Sequence, residues 1–217
     1  MIAIDVAFLC PALNRGDLYQ FTHRVFRYNA GLQGVQEGIY PLFSQSAETL
    51  CLPHITLAQG FIKEEEHEAV ASALEVALKE QKPVVLTTNG IKTKQLPNGY
   101  TGVELDIVKT EELAGIHRKV MSVLAPFVKY DCSDESAFYG TIDPLTKTWV
   151  QNYRAGSFDR FQPHLTLGVG EVLDAKGESA SLHFKRPEFV CVSRVVLGQL
   201  GNYCTIQKVM KEYVLVS

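Results

Sequence analysis

Apolar residues alternate with other types over residues 2–10: Ile2, Ile4, Val6, Phe8 and Cys10 fall on one face and Asp5 on the other. A period of two predicts a strand. Over 17–30 the period lengthens, and Leu18, Phe21, Val25 and Phe26 form one helical stripe. Gly, Pro and Ser interrupt 31–53, where no regular element is predicted. A second strand is expected over 54–62. Residues 63–81 then open with Glu64, Glu65 and Glu66 and continue with Val70, Leu74 and Leu78 at spacing four, which predicts a helix. Two β runs, 83–93 and 100–108, flank the turn Pro97-Asn98-Gly99. Thr110 stands as an N-cap before a stripe of Leu113, Ile116, Val120 and Leu124, and Pro126 ends it. Residues 127–162 give no clear pattern beyond a helical turn near 145–153. Strands are expected over 164–172, 189–200 and 203–216. Mixed strands and helices joined by hairpins predict the α+β class.

The whole chain of 217 residues reads as a single domain, because no Ser-, Pro- or Gly-rich linker divides it. With 46% hydrophobic and 21% charged residues its composition is that of a globular protein. The longest stretch without Asp, Glu, Lys or Arg, 49–62, has 14 residues; a membrane span needs about 18–20 apolar ones. An acid inside the first apolar run and no basic residues ahead of it argue against a signal peptide. The net charge of −3 argues against a wide electropositive face that grips long nucleic acid. It leaves room for a small phosphate-bearing ligand held by a few aimed groups. Five scattered cysteines (Cys10, Cys51, Cys132, Cys191, Cys204), without a C-x-x-C pair, read as free thiols in a reducing cytoplasm.

The chemistry lies in a short internal repeat. Residues 53–60, PHITLAQG, align with 163–170, PHLTLGVG, with five of eight positions identical and the histidines 110 residues apart. Spacing of about half the chain suggests two similar lobes around a pseudo-two-fold axis. Each copy sits at the start of a predicted strand, so His54 and Thr56 share one face while Ile55 and Leu57 share the other; His164 and Thr166 repeat the arrangement. If the strands face each other, two imidazoles and two hydroxyls converge on one cleft. A neutral imidazole takes a proton from an attacking hydroxyl, and an imidazolium gives one to a leaving oxygen. Two nearby histidines also disfavour being charged together. Threonine hydroxyls are donors suited to non-bridging phosphate oxygens.

These paired H-x-T motifs, each after a proline, resemble those of the two-histidine (2H) phosphoesterase superfamily, with its LigT-like 2'-5' RNA ligases and cyclic nucleotide phosphodiesterases. The resemblance implies a bilobal fold of two antiparallel-rich sheets with outer helices and a central cleft. It implies metal-independent hydrolysis of 2',3'-cyclic or 2'-5' phosphodiester bonds of a small nucleotide or an RNA end, with no cofactor. By that resemblance His54 and His164 form the acid–base pair, and Thr56 and Thr166 bind phosphate. Residues 127–162 are longer than expected between the second helix and the second motif. Two alternatives stand beside hydrolysis: a 2'-5' RNA ligase using the same residues, or a module that binds a nucleotide or RNA end without catalysis. A monomer is expected.

Other residues carry weaker signals. Arg154 and Arg160 precede the second motif and are candidates for holding a phosphate or carboxylate, as are Lys92 and Lys94 near the hairpin. Tyr100, Tyr139, Tyr153, Phe158, Phe161 and Tyr203 are candidates for stacking on a base. His23, His67, His117 and His183 have no partner at useful spacing and receive no role. No H-E-x-x-H or Cys/His cluster marks a metal site, and no P-loop, G-x-G-x-x-G or G-x-S-x-G motif is present.

Overall fold

The described residues of a computed structural model, 1–9, 54–170 and 188–216, form two four-stranded antiparallel sheets with helices between them along the chain. The helix predicted over 17–30, the irregular 31–53 and the end of the strand predicted over 164–172 lie outside the described residues. In chain order the elements are β1 (Ile2–Leu9), β2 (His54–Ile62), α1 (His67–Leu78), β3 (Val84–Gln95), β4 (Thr101–Ile107), α2 (Glu111–Leu124), α3 (Pro144–Asn152), β5 (His164–Gly170), β6 (Phe189–Val192), β7 (Arg194–Leu200) and β8 (Ile206–Val214). The first sheet has the order β2-β1-β7-β8 and the second β5-β4-β3-β6. Each sheet thus carries one H-x-T strand at its edge, and those two edges contact each other. The C-terminal strands return to the sheet begun by β1, so no cut along the sequence separates the lobes.

A continuous core joins both sheets to α1 and α2: Ile4, Val6 and Phe8 of β1, Leu86 of β3, Leu105 of β4 and Leu165 of β5 pack with Val70, Leu74, Leu113, Val120 and Leu124. Thr110 caps α2, its hydroxyl accepting from the Leu113 amide at 3.2 Å. α1 is shorter than its predicted span: Glu64–Glu66 forms a single 3-10 turn, and the helix stops at Leu78, the last apolar residue of the stripe.

Two expectations need correcting. The run 189–200 is not one strand. It breaks at Ser193, with β6 pairing to β3 in one sheet and β7 to β1 in the other. The pattern changes at that point, because β6 alternates exposed and buried residues as an edge strand does, whereas Val195, Val196 and Leu197 of the interior β7 are all buried. β1 is likewise buried on both faces, Asp5 included. The cause is 127–162, which folds into α3 and short 3-10 turns. Its Ala137, Phe138, Ile142 and Val150 pack on Ala3, Phe61 and Leu200 and cover the face that carries Asp5. Asp143 starts α3, its carboxylate accepting from the Leu145 amide at 2.8 Å.

Candidate functional site

Both copies of the repeat share a backbone feature that alternation alone does not foretell. On β2, Val6 pairs with Ala58 and Ala7 with Thr56, so Leu57 is left over as a bulge. On β5, Val103 pairs with Gly168 and Glu104 with Thr166, which leaves Leu167 over in the same place of the motif. A bulge re-aims the side chains that flank it and occurs often beside active sites. Here it shifts the phase, so that His54, Thr56 and then Gln59 line the face of β1 that bears Asp5. Ile55, Leu57 and Leu165 are fully buried on the opposite, core side.

The first motif closes around Asp5, which is wholly buried. Its Oδ2 accepts from the Thr56 hydroxyl at 2.8 Å and from the Gln59 amide at 3.0 Å. His54 Nε2 stands 3.5 Å from the same oxygen, and its side chain is only 11% exposed. Among the described residues Asp5 Oδ1 has no hydrogen-bond partner. Burial pushes the Asp5 carboxyl above the usual carboxylate range, while His54, Gln59, Thr56 and, more weakly, His164 pull it down. The two motif strands, β2 and β5, contact each other, and the charge of either protonated histidine is felt at Asp5. The Thr56 hydroxyl has one proton and spends it on Asp5, so it has none for another acceptor in this arrangement.

The second motif is wetter. His164 Nδ1 donates to the Gln162 carbonyl at 2.9 Å, and Nε2 lies 3.7 Å from Glu104 Oε1, the two side chains being 38% and 25% exposed. Register explains the pairing, since Asp106 sits across from His164 and Glu104 across from Thr166. Burial raises the Asp106 carboxyl, but the Lys92 ammonium, 2.8 Å away, and the Asn89 amide outweigh it and hold the group low. Thr166 is half-buried, and among the described residues its hydroxyl has no hydrogen-bond partner.

His117, given no role from the sequence, ties the two motifs together. It is fully buried on α2. Nδ1 donates to the Leu57 carbonyl at 2.7 Å, the carbonyl of the bulge residue, and Nε2 accepts from the Phe158 amide at 2.9 Å. Its ring stacks on Phe161 with centroids 3.9 Å apart. Phe158 and Phe161 lie in the segment that leads into His164. Burial, with Lys109 and Arg118 nearby, holds the imidazole below its usual pKa and hence neutral, as this pair of hydrogen bonds requires.

The remaining sequence candidates are dispersed. Arg154 is exposed near Tyr130, and Arg160 is exposed on the 3-10 turn Phe158–Arg160; among the described residues neither bonds to the motifs. Lys92 is engaged by Asp106, and Lys94 is exposed. Of the stacking candidates, Phe161 and Tyr203 are core residues, while Phe158 and Tyr139 are exposed. Tyr153 is half-buried against the main core, and Tyr100 tilts against Tyr203 near the hairpin. His67 is partly exposed next to Glu68, whereas His23 and His183 lie outside the described residues. Among the described residues no three His, Cys, Asp or Glu side chains are grouped to hold a metal ion, and no helix is long and apolar enough to cross a membrane.

The family described as the 2'-5' RNA ligase superfamily matches residues 42–197. No curated protein matches the sequence. Among solved structures the chain is similar to Usb1 of Kluyveromyces marxianus with uridine monophosphate, at 10% identity and TM-score 0.57 over 99% of this chain and 98% of that one. It is similar to TT0787 of Thermus thermophilus, at 15% identity and TM-score 0.56 over 99% and 98% of the two chains. It is also similar to E. coli LigT complexed with 3'-AMP, at 16% identity and TM-score 0.50 over 100% and 98%. At such identities the likeness is one of fold.

Proposed function

We propose that this chain, which belongs to the 2'-5' RNA ligase superfamily, is a metal-independent phosphodiesterase that hydrolyses a 2',3'-cyclic or 2'-5' phosphodiester of a small nucleotide or RNA end. The observation that carries the reading is the meeting of the two H-x-T edge strands, with both imidazoles acting on one buried carboxylate. One histidine takes a proton from water as the water oxygen bonds to phosphorus. The P–O bond to the ribose oxygen breaks with its electron pair, and the other histidine protonates that oxygen. The pair has then exchanged protonation states and resets through solvent. Thr166 supplies a donor to a non-bridging oxygen where charge builds, and Thr56 does so when it releases Asp5. Arg154 and Arg160 are proposed to meet the ligand beyond its phosphate. The uridine monophosphate and 3'-AMP found with the fold relatives define the ligand class to try first. We read the protein as a cytoplasmic monomer; Cys132, Cys191 and Cys204 are free thiols.

The test is hydrolysis of the four nucleoside 2',3'-cyclic monophosphates in chelator by wild type and His164→Ala, with 2' and 3' products resolved. Cleavage to one regioisomer by wild type alone is expected. Joining of RNA ends through a 2'-5' bond with no hydrolysis would turn the reading to the ligase direction. Binding without either reaction would reduce the protein to a binding module.

A further inference from the structure

An acid stands in the middle of the surface that would have to hold a phosphate. Glu104 lies directly across from Thr166 in the β4–β5 ladder, and Asp106 directly across from His164. Both carboxylates therefore share the face of the sheet that carries the second motif. Asp106 is compensated. Lys92 donates to its Oδ1 at 2.8 Å, and Asn89, left over as a bulge on β3, donates to Oδ2 at 2.9 Å. Glu104 is not. Lys92 sits opposite it in register, but the ammonium has gone to Asp106. Among the described residues the ion-pair partner of Glu104 is His164, whose Nε2 is 3.7 Å from Oε1, too far for a hydrogen bond. A site built only to gather negative charge would not keep this side chain, which is 25% exposed, beside the threonine donor.

We infer that Glu104 is a specificity-determining residue that rejects the product, admitting a singly charged phosphodiester and disfavouring the doubly charged monoester at the same His164 and Thr166. This rests on the phosphodiesterase reading above. His164 Nδ1 is taken by the Gln162 carbonyl, so Nε2 is the nitrogen that meets a ligand. A ligand oxygen about 2.8 Å from Nε2 lies at most about 6.5 Å from Glu104 Oε1, given the 3.7 Å between Nε2 and Oε1. One charge repelled by another at about 6 Å, with an effective dielectric of about 40 for a part-buried site, binds about tenfold more weakly. Hydrolysis changes the ligand's charge. Water adds across the P–O bond, the ribose oxygen leaves as a hydroxyl, and the new monoester, with a second pKa of about 6, gives a proton to solvent. The diester thus meets the Glu104 repulsion once and the monoester nearly twice.

Two ligands of nearly the same shape separate charge from fit. Uridine 3'-phosphate carries two charges at pH 7.5, and uridine 3'-methylphosphonate, with a methyl group in place of one oxygen, carries one. Titration calorimetry of both on wild type, Glu104→Gln and Glu104→Asp gives the ratio of their dissociation constants for each protein. Glu104→Gln should move the ratio about tenfold in favour of the doubly charged ligand. Glu104→Asp, which keeps the charge on a shorter stem, should stay within about threefold of wild type. If Glu104 served only to support a positive charge on His164, its loss would move the ratio the other way. A ratio within about twofold of wild type in Glu104→Gln, a shift toward the singly charged ligand, or an equal shift in Glu104→Asp would each overturn the inference. Neither ligand has to be turned over. Cleavage of uridine 2',3'-cyclic monophosphate by wild type with an unmoved ratio would therefore sink this inference alone. A moved ratio without cleavage would sink the phosphodiesterase reading and leave Glu104 as the residue that discriminates charge, and failure of wild type to bind either ligand would overturn both.

Discussion

Replacing His117 with phenylalanine tests the link between the two motifs, because the somewhat larger ring can still stack on Phe161 but has no nitrogen to bond with. Two groups are stranded. The Leu57 carbonyl belongs to the bulge residue, which has no ladder partner, and Leu57 is fully buried, so its lost bond costs about 1–3 kcal/mol. The Phe158 amide lies on a half-exposed residue, where water replaces the imidazole at a cost of about 1 kcal/mol or less. The sum is about 1–4 kcal/mol, which for a domain of this size lowers Tm by roughly 2–16 °C. Denaturant and thermal unfolding at pH 7.5 would measure it. The sign of the pH dependence follows from burial. The folded imidazole has a pKa below the ordinary 6.5, so the unfolded chain binds the proton first. The His117 contribution is complete above pH 6.5 and falls away as the pH drops toward the folded-state value. The gap between wild type and His117→Phe should therefore narrow from pH 7.5 to 5. A variant within about 0.5 kcal/mol of wild type at pH 7.5, or a gap that widens on acidification, would refute the reasoning.

Four further outcomes follow. Thr166→Val should lower kcat about 10²–10³-fold without changing stability. Thr56→Val should in addition cost about 1–3 kcal/mol, because it removes a donor from buried Asp5, and paired kinetics and urea titrations distinguish the two. Gly60→Ala should destabilise by about 1–3 kcal/mol in thermal melts, since a Cβ there would collide with Val128 where Phe61 pairs with Lys129. Burial raises the Asp5 carboxyl, so the folded state holds its proton above the ordinary 3.8 and loses stability as the pH climbs through the raised value. The Tm of Asp5→Asn relative to wild type should accordingly rise between pH 4 and 7, and a flat or falling difference would contradict it.

How much of this was legible depended on whether a signal was local. The repeat was readable because H-x-T-L is a contiguous pattern duplicated at half the chain length, and α2 because Thr110 and its apolar stripe are adjacent in sequence. Asp5 was visible as an acid inside an apolar run. Alternation, however, only set it on the face opposite the apolar residues, and what buries that face is a segment more than 120 residues away without a periodic pattern of its own. The breadth of β7 burial was present in the unbroken Val195-Val196-Leu197, but a single run of β formers gives no hint that its two halves join different sheets. The bulges at Leu57 and Leu167, and the hydrogen bond that His117 donates to the Leu57 carbonyl, depend on cross-strand register, which no single strand encodes.

The central claim is that His54 and His164 act as one acid–base unit, and the most direct measurement is a double-mutant cycle on phosphodiester hydrolysis in chelator. Rates of His54→Ala, His164→Ala and the double variant are to be compared on the best nucleoside 2',3'-cyclic monophosphate. Groups that work in a single step lose together, so each single change should lower kcat by about 10³-fold or more and the double change scarcely further. Either single variant within about tenfold of wild type, or losses that multiply in the double variant, would contradict the account.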